Sequence, residues 1–85
     1  MKNIIMYTGP MCAFCDAAKR LFERNNATFK EIDIGNNLEI REEMIKRSNG
    51  RRTVPQIFIE DKHIGGYEEL RALEKNGELK NILSY

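Results

Sequence analysis

Tyr7-Thr8-Gly9-Pro10-Met11-Cys12-Ala13-Phe14-Cys15 sets two cysteines where an apolar run gives way to a helical pattern. Just upstream, Asn3 to Tyr7 is a short apolar run with two isoleucines, ended by Thr8-Gly9-Pro10, which predicts a buried strand running into a loop. Just downstream, Ala13, Ala17, Leu21 and Phe14, Ala18, Phe22 recur at helical spacing as far as about Arg24. Asp16, Lys19, Arg20, Glu23 and Arg24 supply the wet face, and Asn25-Asn26 close the helix with residues that tolerate left-handed geometry. Cys12 therefore falls at the cap of a helix that follows a strand, and Cys15 lies three positions on, within reach on the same face.

The two thiols are not chemically equal in that setting. Cys12 meets unpaired backbone N–H groups and the positive end of the helix dipole, which favour a thiolate. Cys15 lies one turn inside, where burial favours the neutral thiol. One acidic nucleophile beside one protonated resolving thiol is the division of labour that disulfide exchange requires. A Cys-x-x-Cys pair also serves zinc, but zinc takes about four ligands and the remaining inventory is His63 plus carboxylates. A structural staple is a poor explanation as well, because so short a loop removes little unfolded-state entropy.

Working outward, Phe29 to Ile34 alternates closely enough for a second strand, broken by Gly35-Asn36-Asn37. Leu38 to Ser48 carries Ile40, Met44 and Ile45 among charges, an amphipathic helix closed by Asn49-Gly50. Strand, helix and strand at this length imply a parallel pair joined by a right-handed crossover. Pro55 opens the next strand, Gln56-Ile57-Phe58-Ile59; Glu60-Asp61-Lys62 is a short turn, and His63-Ile64 return as a hairpin partner. Gly65-Gly66 end that strand. Glu68 to Lys75 form a helix burying Leu70 and Leu73, stopped by Asn76-Gly77, and Leu79, Ile82 and Leu83 suit a last short helix. The order β-α-β-α-β-β-α-α predicts an α/β domain with a four-stranded mixed sheet flanked by helices.

Eighty-five residues make a single domain, residues 1–85, with no repeat or linker. Fourteen basic residues against thirteen acidic ones leave a formal charge of +1, with no basic tract that suggests a nucleic-acid partner. The apolar run Ile4-Ile5-Met6-Tyr7 is far too short for a signal peptide or a membrane span. The expected setting is cytoplasmic. In that reducing compartment a close dithiol points to catalysis or metal binding.

Two further elements bear on function. Thr53-Val54-Pro55 places a proline at the entry to the third strand, where it has no ladder hydrogen bond to donate. With a cis X–Pro bond, the backbone before it turns outward and offers itself to an extended peptide as a strand does; an ordinary strand-start proline is the alternative. Gly65-Gly66-Tyr67-Glu68-Glu69 combines close backbone approach with a helix N-terminus suited to an anion such as a carboxylate. The same residues also describe a plain strand-to-helix turn whose acids complement the helix dipole.

Taken together, and in this order, these elements resemble the glutaredoxin family. The likeness runs from Ile4-Ile5-Met6-Tyr7-Thr8 through Cys-x-x-Cys, Arg-Thr-Val-Pro-Gln-Ile-Phe-Ile and Ile-Gly-Gly to the terminal helices. It implies a thioredoxin-like fold, a cis Pro55, and glutathione as co-substrate. It also implies roles: Cys12 as the nucleophile that becomes glutathionylated, and Cys15 as the resolving thiol. Phe14 stands where a tyrosine usually lines the glutathione groove, and Thr53, Val54 and Pro55 match the segment that pairs with the cysteinyl unit. Gly66, Tyr67 and Glu68 match the turn that holds the γ-glutamyl carboxylate. Arg41 matches a position that contacts the glycyl carboxylate, to which Arg51 or Arg52 adds. The implied partners are glutathione and disulfide-containing or glutathionylated proteins, with the chain a monomer unless a cluster bridges two copies.

The sequence departs from the family pattern in three places. Cys-Pro-Tyr-Cys is Cys12-Ala13-Phe14-Cys15, the lysine commonly found before the nucleophile is Gly9, and Gly-Gly-Cys-Asp-Asp is Gly65-Gly66-Tyr67-Glu68-Glu69. Weaker glutathione binding is the expectation, by about 1 kcal/mol per lost exposed charge contact. Two alternatives accompany the leading reading. Ala13 permits a glutathione-ligated [2Fe–2S] cluster held by Cys12 in a dimer, and a redoxin reduced by thioredoxin reductase shares the same residues. His63 is expected to be a strand residue rather than a catalytic base, since an acidic Cys12 needs none.

Overall fold

The computed structural model describes residues 2–84. Its elements are β1 (Ile4–Thr8), α1 (Ala13–Arg24), β2 (Lys30–Asp33), α2 (Leu38–Arg47), β3 (Gln56–Ile59), β4 (Lys62–Gly65), α3 (Tyr67–Lys75) and α4 (Glu78–Leu83). The sheet order is β2-β1-β3-β4. β1 and β2 are parallel, with Ile5 opposite Lys30 and Thr8 opposite Asp33. β3 runs antiparallel to both neighbours, with Tyr7 opposite Gln56 and Phe58 opposite His63. The four-stranded mixed sheet with flanking helices is thus the architecture that the sequence predicts.

Alternation along β1 and β3 separates two cores, one on each face of the sheet. Ile4, Met6, Ile57 and Ile59 pack with Ala18, Leu21 and Phe22 of α1, Leu70 of α3 and Leu79 of α4. Tyr7 and Phe58 face the other way, onto Ile34 and onto Met44 and Ile45 of α2. β3 is buried along its whole length because it is central and covered on both faces. β2 is an edge strand, and its exposed Lys30, Glu31 and Asp33 discourage pairing with another chain.

The punctuation is local chemistry. Asn26 and Asn49 each take a left-handed conformation, at φ 56° and 59°, just past α1 and α2. Ala27 N–H reaches the Phe22 carbonyl and Gly50 N–H the Ile45 carbonyl, which closes each helix end. Asn37 caps α2, its side-chain oxygen accepting from Ile40 N–H at 3.0 Å. The β3–β4 turn is two residues long, with Glu60 and Asp61 both at positive φ, so Lys62 belongs to β4 and not to the turn. Phe29 lies before β2 and packs at a tilt against Phe22 instead, with ring centroids 5.6 Å apart and 38° between the planes. Helix α1 also differs from its sequence reading. Ala13 and Phe14 are exposed, while Cys15, Ala18, Leu21 and Phe22 form the buried stripe. The buried stripe thus starts at Cys15, and Phe14, on a neighbouring face of the same turn, stacks on Tyr67 instead.

Candidate active site

Cys12 caps α1 in an extended conformation, φ −113° and ψ 101°, and its Sγ accepts from the Cys15 backbone N–H at 3.1 Å. The first helical carbonyl bond, Asp16 N–H to Cys12 O, starts at the same residue. The nucleophile candidate is therefore set among the unpaired N–H groups of a helix start, as the spacing predicts. Cys12 and Cys15 are joined as a disulfide, with Cα atoms 5.2 Å apart. Their environments differ sharply: Cys12 is half-buried at the surface and Cys15 is 2% exposed. Among the described residues the only other exposed large apolar side chains besides Leu38 are Met11 and Phe14, which flank Cys12. The disulfide thus opens onto an apolar rim.

Beside it lies a groove of about 280 Å³. Thr53, Val54 and Pro55 form one wall, Gly66, Tyr67 and Glu68 the other, and Phe14 closes the end nearest the cysteines. The Val54–Pro55 peptide bond is cis. Cys12 Sγ sits 3.7 Å from the Val54 carbonyl oxygen, which ties the helix start to the loop that precedes β3. Phe14 stacks on Tyr67 at 5.9 Å with 24° between the rings, so the two helix starts touch across the groove mouth. Those residues come from three separate segments: the start of α1, the loop before β3, and the start of α3 with its capping glycine. Only the β-α-β crossover and the hairpin together bring the ends of α1, β3, β4 and α3 to one end of the sheet.

Arginine placement differs among the sequence candidates. Arg51, not Arg52, stands in the groove wall, drawn there by Glu69, whose Oε1 lies 3.1 Å from the Arg51 guanidinium. Arg41 sits in the first turn of α2 and does not line this groove. Glu69 itself escaped the sequence reading as a site residue. It reaches back over the two glycines, accepting from the Gly66 N–H at 2.6 Å. That backbone bond holds its carboxyl below the ordinary carboxylate value, and the Arg51 guanidinium adds to the effect. The cap is one-sided, since Gly66 has no side chain to return the bond, and it depends on the helix starting at Tyr67, one residue before the expected Glu68, which makes Glu69 its third residue. Part of the anion seat expected at this turn is accordingly filled by the chain's own carboxylate. Tyr67, Glu68 and the helix start beyond them remain in the groove wall.

Behind the groove, Gln56 is fully buried and links two parts of the site. Its Nε2 donates to the Thr53 carbonyl at 3.0 Å and lies 3.3 Å from Thr53 Oγ1, while Oε1 meets His63 Nε2 at 2.8 Å. His63 lies against the Phe58 ring at 4.9 Å. Burial pushes its pKa below the ordinary value; nearby Arg51 acts in the same direction and Glu69 opposes both. No helix among the described residues is long and apolar enough to cross a membrane.

The arrangement has close counterparts. Residues 4–64 match the family model described as Glutaredoxin. Glutaredoxin 3 of Escherichia coli (strain K12) is 48% identical over 83 residues, covering 98% of this chain and 99% of that protein. The solution structure of a glutaredoxin from Brucella melitensis superposes with a TM-score of 0.85 at 47% identity, covering 98% of this chain and 89% of the other. A buckwheat glutaredoxin–glutathione complex superposes with a TM-score of 0.86 at 27% identity, covering 96% of this chain and 76% of the other. Both structures share the thioredoxin-like fold built here around the helix-start cysteines. With its sequence matched over most of its length and its dithiol set at a helix start, this chain belongs to the glutaredoxin family.

Proposed function

We propose that this protein is a glutathione-dependent thiol–disulfide oxidoreductase that reduces glutathione mixed disulfides and protein disulfides through Cys12 and Cys15. The observation that carries the proposal is the pairing of a surface sulfur with a buried one at a helix start, at the mouth of a groove with an extended-backbone wall. In the monothiol route the Cys12 thiolate attacks the glutathione sulfur of a mixed disulfide. The bond from Cys12 to glutathione forms as the old S–S bond breaks, and the departing thiolate takes a proton from solvent. A second glutathione thiolate then attacks the glutathione sulfur on Cys12, giving glutathione disulfide and the free Cys12 thiolate. In the dithiol route Cys12 attacks a protein disulfide and Cys15, after losing its proton, displaces the protein thiolate to give the Cys12–Cys15 disulfide. Two glutathione molecules then restore both thiols.

The groove accounts for the substrate. Thr53, Val54 and Pro55 offer backbone to a peptide in extended form, and the turn at Gly66, Tyr67 and Glu68 offers a helix start to a carboxylate. Phe14 supplies an apolar surface without the hydroxyl of a tyrosine. Arg51 is the cation within the groove wall, and Arg41 and Arg52 are the outer cations available to the glycyl end. Because Glu69 already holds Arg51 and the Gly66 N–H, glutathione is expected to bind more weakly than the fold alone suggests. A bridging [2Fe–2S] cluster would draw on Cys12 alone from each chain, since Cys15 is buried, and no feature of the geometry favours it. A reducing compartment such as the cytoplasm fits this chemistry.

The test is a coupled assay with glutathione, glutathione reductase and a small glutathione mixed disulfide, run beside thioredoxin reductase as the alternative electron donor. Turnover with glutathione and none with the flavoprotein is the expected result. Reduction by the flavoprotein alone would replace this proposal with a thioredoxin-like role.

A further inference from the structure

We propose that Gln56 and His63 are positioning residues which set the orientation of the Thr53–Val54 peptide, and through it aim the Val54 N–H into the groove. The inference rests on the glutathione reading above and deepens it, since it names what prepares the backbone wall for an extended thiol substrate.

The argument is one of donors and acceptors. The Thr53 carbonyl can only accept, so the end of the Gln56 amide facing it at 3.0 Å is the NH2 group. The other end is then Oε1, an acceptor, and it faces His63 Nε2 at 2.8 Å. That contact requires the proton on Nε2, which fixes the tautomer of His63. The Phe58 ring beneath the imidazole, 4.9 Å away, and its pairing opposite His63 across β3 and β4 hold the ring in place. Gln56 is 0% exposed, so its amide meets its partners from inside the protein, while Thr53 is exposed and His63 half-buried. Inside a protein, an amide that loses one partner has no solvent to replace it. The chain His63, Gln56, Thr53 is therefore directional, with each donor assigned by the next acceptor.

Its effect on the groove follows from peptide geometry. The Thr53–Val54 bond is trans, the cis bond being the next one along. In a trans planar peptide the C=O and N–H point in opposite directions. Thr53 O is pulled inward to the buried Gln56, so the Val54 N–H is turned the other way, to the side where Thr53, Val54 and Pro55 line the cavity. Rotation of that one peptide would swing the donor away from the groove. A backbone donor that pairs with an extended substrate gives most of its benefit only when it is held beforehand. Neither Gln56 nor His63 lines the groove, and the Cys12 sulfur has its contacts with Val54 O and Cys15 N–H instead. They act through Thr53.

Three variants test this. His63→Leu keeps an apolar contact with Phe58 and removes the donor; Gln56→Met keeps the volume and removes both amide ends; His63→Gln places an NH2 group near the Nε2 position. The measurements are KM and kcat for the mixed disulfide of glutathione with 2-mercaptoethanol, and the exchange rate of the Gln56 side-chain amide protons by NMR. His63→Leu and Gln56→Met are expected to raise KM about five- to tenfold, the scale of one misaligned hydrogen bond. Their kcat and the rate at which iodoacetamide alkylates reduced Cys12 should stay within about twofold, as uniform binding is lost and the chemistry is not. His63→Gln should return KM to near the original value and restore slow amide exchange. An unchanged KM in both deletions overturns the proposal. So does a parallel loss of kcat and stability that His63→Gln does not repair, because that is the mark of a merely structural contact. If the unaltered protein turns over no glutathione mixed disulfide, the functional reading fails separately. In that case fast Gln56 amide exchange in the unaltered protein, or slow exchange retained in His63→Leu, still overturns the positioning claim.

Discussion

Replacing Gly65 with alanine tests how the turn at the groove is held. Gly65 has a φ of +122°, a conformation that L residues rarely adopt, and forcing one there costs about 1–3 kcal/mol. Space is lacking as well. A Cβ at Gly65 would stand 2.5 Å from Glu69 Oε1, 2.9 Å from its Cγ and 3.0 Å from its Cδ. The carboxylate must therefore leave its seat over the Gly66 N–H, and losing a helix cap of this kind costs about 1 kcal/mol. The Arg51 ion pair adds little, because both side chains are nearly half exposed, at 43% and 46%. Gly65→Ala is thus expected to destabilise by about 2–4 kcal/mol, which lowers the melting midpoint of a domain this size by roughly 10–25 °C. Urea unfolding of the reduced protein measures it. A double-mutant cycle with Glu69→Ala sharpens the reasoning. Glu69→Ala alone should cost about 1 kcal/mol by the loss of that cap, yet cost almost nothing once Gly65→Ala has already displaced the carboxylate. A loss under about 1 kcal/mol for Gly65→Ala, set against the φ cost, refutes the account. Full additivity of the two changes refutes the part that routes through Glu69.

Three other outcomes are open to direct measurement. Cys12→Ser should abolish every thiol-transfer activity, whereas Cys15→Ser should keep turnover of glutathione mixed disulfides and lose the dithiol route; a dead Cys15→Ser with an active Cys12→Ser would reverse the assignment. Stability should hold down to the ordinary carboxylate value of 4.5 and fall below it, because Glu31 beside Lys19, Glu69 on the Gly66 N–H and Glu74 beside Arg24 all have depressed values when folded. The unfolded chain takes up those protons first as the pH drops, so folding is penalised until the folded carboxylates also titrate; a urea midpoint that stays level through this window, or a slope that Glu31→Gln and Glu69→Gln leave untouched, would contradict it. Tyr7→Phe should cost about 1–2 kcal/mol, since the buried hydroxyl donates to Glu43 and accepts from Arg47 at 2.9 Å, and an unaltered unfolding midpoint would show that those two groups find other partners.

Much of this protein is written in local pattern. The apolar periodicity of residues 13–24, the alternation in Gln56 to Ile59 and the asparagine and glycine stops each depend on neighbours in the chain, so the element order could be read directly. The helix-start position of Cys12 and the inner position of Cys15 were legible for the same reason, because a spacing of three sets both on one helical turn. Phe14 shows where that logic stops: its spacing matches a core stripe, yet it lies exposed and stacks on Tyr67, a partner on another helix that spacing does not reveal.

Partners that lie far apart in sequence were set by how the chain packs. Whether Arg51 or Arg52 faces the groove depends on where the Glu69 carboxylate arrives, 18 residues later. That Gln56 spends its amide on Thr53 and His63, and that the anion seat carries an internal acid, follow from how β3, β4 and α3 meet. A side chain's hydrogen-bond partner is set by the direction in which a folded neighbour presents its lone pair or proton, and that direction exists only once the sheet has closed.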